Sequence, residues 1–448
     1  MDKGHAGNKK IMMHTIPTKY YTPMKNILIL FSLILLGFSS HGQSPKTITL
    51  EDCYKLAKQQ YPLIKQRDLI EKTKDYSIQN AAKGYYPQFN INGQATYQSA
   101  VTAISVSGLP KPFNDINFPT VSKDQFNVHG EVDQTIYDGG VIKQQKQSDL
   151  ASADVQEQNV EVQLYVLKDR INQIYFGALL IDEQVKQNDL TQKDIQNSID
   201  KMNEGVKNGT ATSSSVAELQ AELLQQQQNK IQLQASRKAY IDMLGVFTNQ
   251  TLDENTSLQI PVSATTSDSI KRPELSFYDF QKKNDDVQEK LLNASNRPKF
   301  LAFFQGGYAM PGLDAFDVNA APYYITGLRL SWNLGGYYTL KNQKQILEID
   351  KQNQDVQKET FLFNTNITLK QQSSDIVKLL AMLDKDNDII AKRTEVKDAS
   401  KAQMENGVTT IHEYISELDA EDQAKQSLLL HQVQLLLAEY SYQNTTGN

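Results

Sequence analysis

Metal binding, redox chemistry and acid–base catalysis each need particular side chains at fixed spacing, and this chain holds few of them. Beyond residues 1–42 it has three histidines, His129, His412 and His431, in unrelated segments with no metal-ligand spacing. Cys53 is the single cysteine, so an intrachain disulfide is excluded. The run Thr49-Leu50-Glu51-Asp52 before it is polar and helix-starting, unlike a lipid-anchor site. No glycine-rich loop joins a strand to a helix, no nucleophile elbow is present, and no carboxylate or histidine cluster has catalytic spacing. No residue is therefore assigned a catalytic, cofactor-binding or metal role. The expectation is a protein that is not an enzyme and has no cofactor.

Function must then be sought in pattern. The 448 residues are 39% hydrophobic with a net charge of -6 and a mean hydropathy of -0.51. A bundle of apolar membrane helices is excluded, but a membrane β-barrel is not, because its strands alternate apolar and polar residues. Nucleic acid is not an expected partner, since there is no basic footprint. The strongly apolar run Ile27–Phe38 follows Met24-Lys25 and precedes Ser39-Ser40-His41-Gly42-Gln43. At about a dozen residues it is shorter than the roughly 20 a membrane helix takes. It reads as a secretory signal peptide, with Met24 the natural start, cleavage after Gly42, and residues 1–42 a leader.

Thr49-Leu50-Glu51-Asp52 forms a plausible capping box and opens an amphipathic helix to about Lys83, broken by Gly84-Tyr85-Tyr86-Pro87. A strand follows, with Phe89, Ile91, Gly93, Ala95 and Tyr97 alternating with Asn90, Asn92, Gln94, Thr96 and Gln98. Beyond the loop Ser105–Asp124, a second alternation sets Phe126, Val128, Gly130, Val132, Gln134 and Ile136 against Asn127, His129, Glu131, Asp133 and Thr135. After Tyr137-Asp138-Gly139-Gly140 the period becomes helical. Val160, Leu164, Leu167, Ile171, Ile174, Ala178, Ile181 and Val185 recur at alternating steps of four and three within one helix from Val141 to about Asn203. Some sixty residues would span on the order of 90–100 Å, more than a globular domain needs. Gly205–Ser215 turns the chain, a return helix runs from Val216 to about Leu244, and Asn249–Ser269 is polar and aperiodic.

The programme then repeats. A helix from Arg272-Pro273 to about Ser295 is broken by Asn296-Arg297-Pro298. Phe300–Tyr308 reads as a strand, Met310–Pro322 as a loop, and Thr326, Leu328, Leu330 and Trp332 alternate with Ile325, Gly327, Arg329 and Ser331. Asn333-Leu334-Gly335-Gly336 ends that strand and starts a helix on which Leu369, Ile376, Leu383 and Ile390 recur every seven residues. Met404-Glu405-Asn406-Gly407 turns the chain into a last helix, to about Tyr442. Pro298 less Pro87 is 211, Gly335 less Gly139 is 196, and Gly407 less Gly209 is 198. The chain thus divides into leader 1–42, first repeat 43–248, linker 249–272 and second repeat 273–448, the repeats forming one interlocked domain.

Two repeats supply four strands of about ten residues, the length that crosses an outer membrane when tilted. Four strands do not close a barrel; two subunits would give eight and a filled interior, three would give twelve and a lumen. The expected fold is a mainly helical mixed α/β chain. A trimer of its duplicated strand–strand–helix–helix units is the smaller assumption for a pore and would close a twelve-stranded barrel. The long α-helical coiled-coil barrel that would continue it is what the resemblance to a known family, carried by the motifs that follow, implies. Gly139, Gly140, Gly335 and Gly336 are read as strand-to-helix joints, where a missing Cβ permits a sharp change of direction.

Three motifs resemble the TolC-type outer membrane efflux protein family: Thr49-Leu50-Glu51-Asp52-Cys53 with Tyr61-Pro62-Leu63, the doubled Gly-Gly joint, and a doubled tip. The resemblance covers nearly all of the chain after the leader. It implies a homotrimer in outer-membrane lipid, a helical tunnel through the periplasm, and a periplasmic adaptor and an inner-membrane pump as partners. The implied function is the exit channel of a tripartite efflux or type I secretion system, for small molecules or proteins. At the tips, Gly407 is followed by Glu413, where the family usually has aspartate, and by Ser416; Gly209 is followed by Ser215, a departure, and by Glu218. The resemblance implies that these four residues line the pore entrance and that Gly209 and Gly407 mark the adaptor-contacting tips. Aligning Gly205 with Gly407 instead would put Ala211 at the acidic position. The alternative function is a periplasmic helical-hairpin adaptor without a pore, but adaptors carry one hairpin flanked by β-domains.

Overall fold

The computed structural model describes residues 47–102, 119–264, 267–314 and 317–448. The leader and most of the loop Ser105–Asp124 lie outside the described residues.

Strand β1, Thr47–Ile48, leads into helix α1, Leu50–Gln60. The Thr49 hydroxyl accepts from the Asp52 amide at 3.0 Å and the Asp52 carboxylate accepts from the Thr49 amide at 3.3 Å, a capping box that satisfies two end donors. The expected single helix to Lys83 is split. Tyr61, ahead of Pro62, is extended at φ -61°, ψ 131°, as steric conflict with the proline ring requires, and α2 runs over Lys65–Ala82.

Strands β2, Gln88–Tyr97, and β3, Asp124–Tyr137, pair antiparallel, Gln88 opposite Asp133 and Tyr97 opposite Asp124. At the first joint Gly139 and Gly140 have φ of 77° and 88°, a region that favours glycine. The buried Asp138 carboxylate accepts from the amides of Gly140 at 2.8 Å and Ile142 at 2.6 Å, and so starts helix α3, Val141–Tyr165. The long helix expected from Val141 is interrupted at Val166 and resumes as α4, Leu167–Lys207. Helix α5, Ser213–Thr248, returns.

The linker expected to be aperiodic holds a strand, β4, Ser257–Leu258, which pairs parallel with β1. Tyr175 on α4, fully buried, ties both down: its hydroxyl donates to the carbonyls of Ile48 at 2.9 Å and Gln259 at 2.7 Å. Cys53, Ala57, Val160, Leu164, Leu167, Ile171, Phe176, Ile241 and Leu244 complete this core. Burial pushes the Cys53 thiol up to about 12, so it behaves as an apolar core residue.

The second repeat runs α6, Pro273–Ser295; β5, Lys299–Met310; β6, Ala321–Ser331; α7, Tyr337–Glu405; and α8, Ile411–Thr446. Helix α7 is unbroken over 69 residues, about 100 Å at 1.5 Å per residue. Its joint differs from the first. Leu334–Gly336 form a 3-10 turn, and Gly336 has a right-handed φ of -59°. Here the constraint is close approach, because a Cβ on Gly336 would meet the Asn296 Oδ1 at 1.9 Å and force that side chain to shift. The four long strands form one antiparallel sheet in the order β2-β3-β5-β6, so the two repeats join edge to edge through β3 and β5. The hairpins α4–α5 and α7–α8 pack together mainly through α4 and α8.

Candidate functional site

The ladder registers sort the sheet into two faces. Ile91, Phe89, Val128, Val132, Phe304, Tyr308, Tyr324, Leu328 and Leu330 share one. It is bare: Phe89 is 77% exposed, Ile91 86% and Leu328 78%. Aromatic rings gather at both of its ends. Phe126 stacks on Tyr308 toward the loops, and Tyr137 meets Phe300 toward the helices, both at 6.3 Å between centroids. The opposite face carries Gln88, Asn90, Asn92, Gln94, Asn127, His129, Glu131, Asp133, Gln305, Tyr323 and Arg329. Neither β2 nor β6 has a strand on its outer side among the described residues. An apolar, water-exposed face with two open edges is stable only when something covers the face and pairs the edges. Among the described residues no helix is long and apolar enough to cross a membrane, a statement that leaves a β-barrel untouched.

The tips lie at the other end of the helices and match in detail. Asn208 is the C-cap of α4, followed by Gly209 at φ 71°, and Asn406 is the C-cap of α7, followed by Gly407 at φ 71°. In each, two amides close back on the last turn. Gly209 donates to Val206 at 3.2 Å and Thr210 to Gly205 at 2.8 Å; Gly407 donates to Met404 at 3.0 Å and Val408 to Gln403 at 2.8 Å. This is the Schellman pattern. Thr212 then caps α5 by accepting from the Ser215 amide, and Thr410 caps α8 by accepting from the Glu413 amide, both at 3.2 Å. Gly209 therefore corresponds to Gly407 and Ser215 to Glu413, while Gly205 is a helical residue of the last turn. The register that aligned Gly205 with Gly407 does not fit this geometry.

The four entrance candidates all sit in the first turns of α5 and α8. The Ser215 and Thr212 hydroxyls are 2.9 Å apart, and the Glu413 carboxylate accepts from the Thr409 hydroxyl. Glu218 lies 3.5 Å from the Nδ1 of His412, the neighbour of Glu413, and Ser416 is exposed. Sequence reading missed what holds the tips together. Met202, Val216, Leu219, Met404, Ile411, Tyr414 and Leu418 form a second core shared by both hairpins. Tyr414 is fully buried with its hydroxyl 3.2 Å from Ser198, and Lys201 pairs with Glu405 at 2.7 Å across a cleft of about 510 Å³. The signal was available, since Ile411, Tyr414, Ile415 and Leu418 have helical apolar spacing directly after the turn.

Residues 53–241 match the family model of the outer membrane efflux protein. No curated protein matches the chain at a significant level. The outer membrane protein VceC from Vibrio cholerae is 14% identical with a TM-score of 0.60, over 89% of this chain and 96% of that one. CusC is 13% identical with a TM-score of 0.62, over 89% and 91%. The CmeC outer membrane channel of Campylobacter jejuni is 11% identical with a TM-score of 0.59, over 97% and 93%. At these identities the likeness is one of fold. Residues 53–241 thus carry the sequence pattern of the outer membrane efflux protein family, and the chain as a whole has the fold of the solved outer-membrane channels.

Proposed function

We propose that three copies of this chain form the passive exit duct of a tripartite efflux or type I secretion system, which exports small molecules or proteins. The sheet carries this reading. It has four strands, an exposed apolar face, a polar face and two open edges. Three copies supply twelve strands, which close around a lumen, with the apolar face against outer-membrane lipid and the polar face inward. The helices support the same assembly. On α7, Ile349, Val356 and Phe363 recur every seven residues and are exposed, as are Leu224 and Ile231 on α5. Such seams need partner helices, and neighbouring copies would supply them.

In this assembly the hairpins continue the barrel as a tunnel through the periplasm. The tips at Gly209 and Gly407 form its entrance, which faces a periplasmic adaptor and an inner-membrane pump. Three copies of Glu413 would ring the entrance, with Glu218 at a nearby level, and such a ring favours cations. Ser105–Asp124 and Met310–Pro322 would face outward, so a tag at Pro112 should be labelled on intact cells. Single-channel recording tests the entrance. Glu413→Gln should lower cation preference and weaken block by multivalent cations, and Glu218→Gln should do so less. Unchanged selectivity in both would put these glutamates on the outer surface and end the entrance assignment.

A further inference from the structure

The polar sheet face carries an arrangement that neither the tips nor the fold requires. Along its paired residues the charged side chains are Glu131 and Asp133 on β3, Lys299 at the helix end of β5, and Arg329 on β6. Strand β5 separates β6 from β3, yet Arg329 crosses it and reaches Glu131 at 2.7 Å and Asp133 at 3.4 Å. Two strand spacings are about 10 Å, which Arg329 and the carboxylates reaching toward it from β3 span together. The crossing has a bed. The guanidinium lies 4.6 Å from the centroid of the Phe303 ring on β5. Phe303 pairs with Gly327, where a Cβ would meet that ring at 3.1 Å, so the glycine leaves room for the ring.

Stability alone gives little reason for this geometry, because the Arg329 side chain is 46% exposed and ion pairs open to water contribute about 0–1 kcal/mol. Charge does. Glu131 and Asp133 are only 14% and 17% exposed, turned toward a common guanidinium instead of toward open solvent. If three copies close a barrel, six such carboxylates surround its lumen at one level, where low-dielectric walls focus their field. We propose that Arg329, laid on Phe303, is a latch that offsets one of the two carboxylate charges in each copy and so limits cation selection by the barrel, leaving the tips to set ion preference. The proposal rests on the channel reading and names a residue that sets permeation specificity within it.

The test is reversal potential under a KCl gradient, with the full-length protein reconstituted in planar bilayers. R329Q should raise the cation-to-anion permeability ratio severalfold, and E131Q/D133N should shift it toward anions. The triple variant, one positive charge per copy above wild type, should fall between wild type and E131Q/D133N, and R329K should retain wild-type selectivity, which separates charge from packing. If wild type conducts and both R329Q and E131Q/D133N have wild-type selectivity, the latch is overturned while the channel stands. If wild type does not conduct at all, the channel reading fails, and the latch with it.

Discussion

The two repeats solve one joint in two ways and one turn in the same way. In the first repeat the passage from strand to helix uses left-handed glycines and a buried aspartate cap, and the helix beyond breaks at Val166. In the second it uses a right-handed 3-10 turn, and the helix runs unbroken for 69 residues. Both joints still converge on the end of α6, where Gly139 faces Ala294 and Arg297 and Gly336 faces Asn296. The tips, by contrast, agree in φ, hydrogen bonds and caps. A duplicated chain can vary how it turns a corner provided the corner stays in place, whereas the hairpin ends have kept one geometry.

The largest expected effect breaks the first joint. Gly139→Val puts a branched side chain at φ 77°, with a Cβ 2.9 Å from the Ala294 carbonyl, and should cost about 3 kcal/mol. Asp138→Ala leaves two amides uncapped and should cost about 1–2 kcal/mol. Gly335→Ala at the second joint meets only the Asn333 Oδ1 at 3.3 Å and should stay within about 0.5 kcal/mol. Heat dissociation of the detergent-extracted assembly ranks the three. Equal losses at both joints would dissolve the contrast between them.

The tips sharpen the comparison from the other side. Gly209 and Gly407 share φ 71° with nothing within 4 Å of an added Cβ, so Gly209→Ala and Gly407→Ala should each cost about 1 kcal/mol, by the same amount. Clearly unequal losses would contradict their equivalence.

The smallest effect is a pH dependence on the second hairpin. Partial burial, with Glu222 and Asp422 nearby, raises the Asp419 carboxyl to about 6 from the ordinary 3.8. Folding therefore favours its protonated form, and the resulting penalty appears as pH rises through about 6. Asp419→Asn should raise the melting temperature by about 1–2 °C at pH 8 and leave it unchanged near pH 4. A gain at pH 4 as large as that at pH 8 would mean that charge is not the cause.

Patterns local to one element were legible in the sequence. The alternation around Phe89 and Val128, the cap at Thr49 and the steps from Val160 to Ile171 each report a side chain's own strand or helix. What was not legible depends on neighbours in space. The break at Val166 has no proline or glycine to mark it. The β1–β4 pair is two residues long on each side, too short for any period. Arg329 was visible as a polar-face residue, but its partners lie two strands away, 196 and 198 residues back in the chain. Pro62 was visible too, and its effect on Tyr61 follows from sterics that a periodicity count ignores.

The most direct test is the mass of the detergent-extracted full-length chain by sedimentation, corrected for bound detergent. Unpaired edges on β2 and β6 and a bare apolar face require partners, so the chain should sediment as a single species of three copies and precipitate when detergent is removed. A monodisperse, water-soluble monomer would contradict the channel, because a sheet with Phe89, Ile91 and Leu328 in water could not remain dispersed.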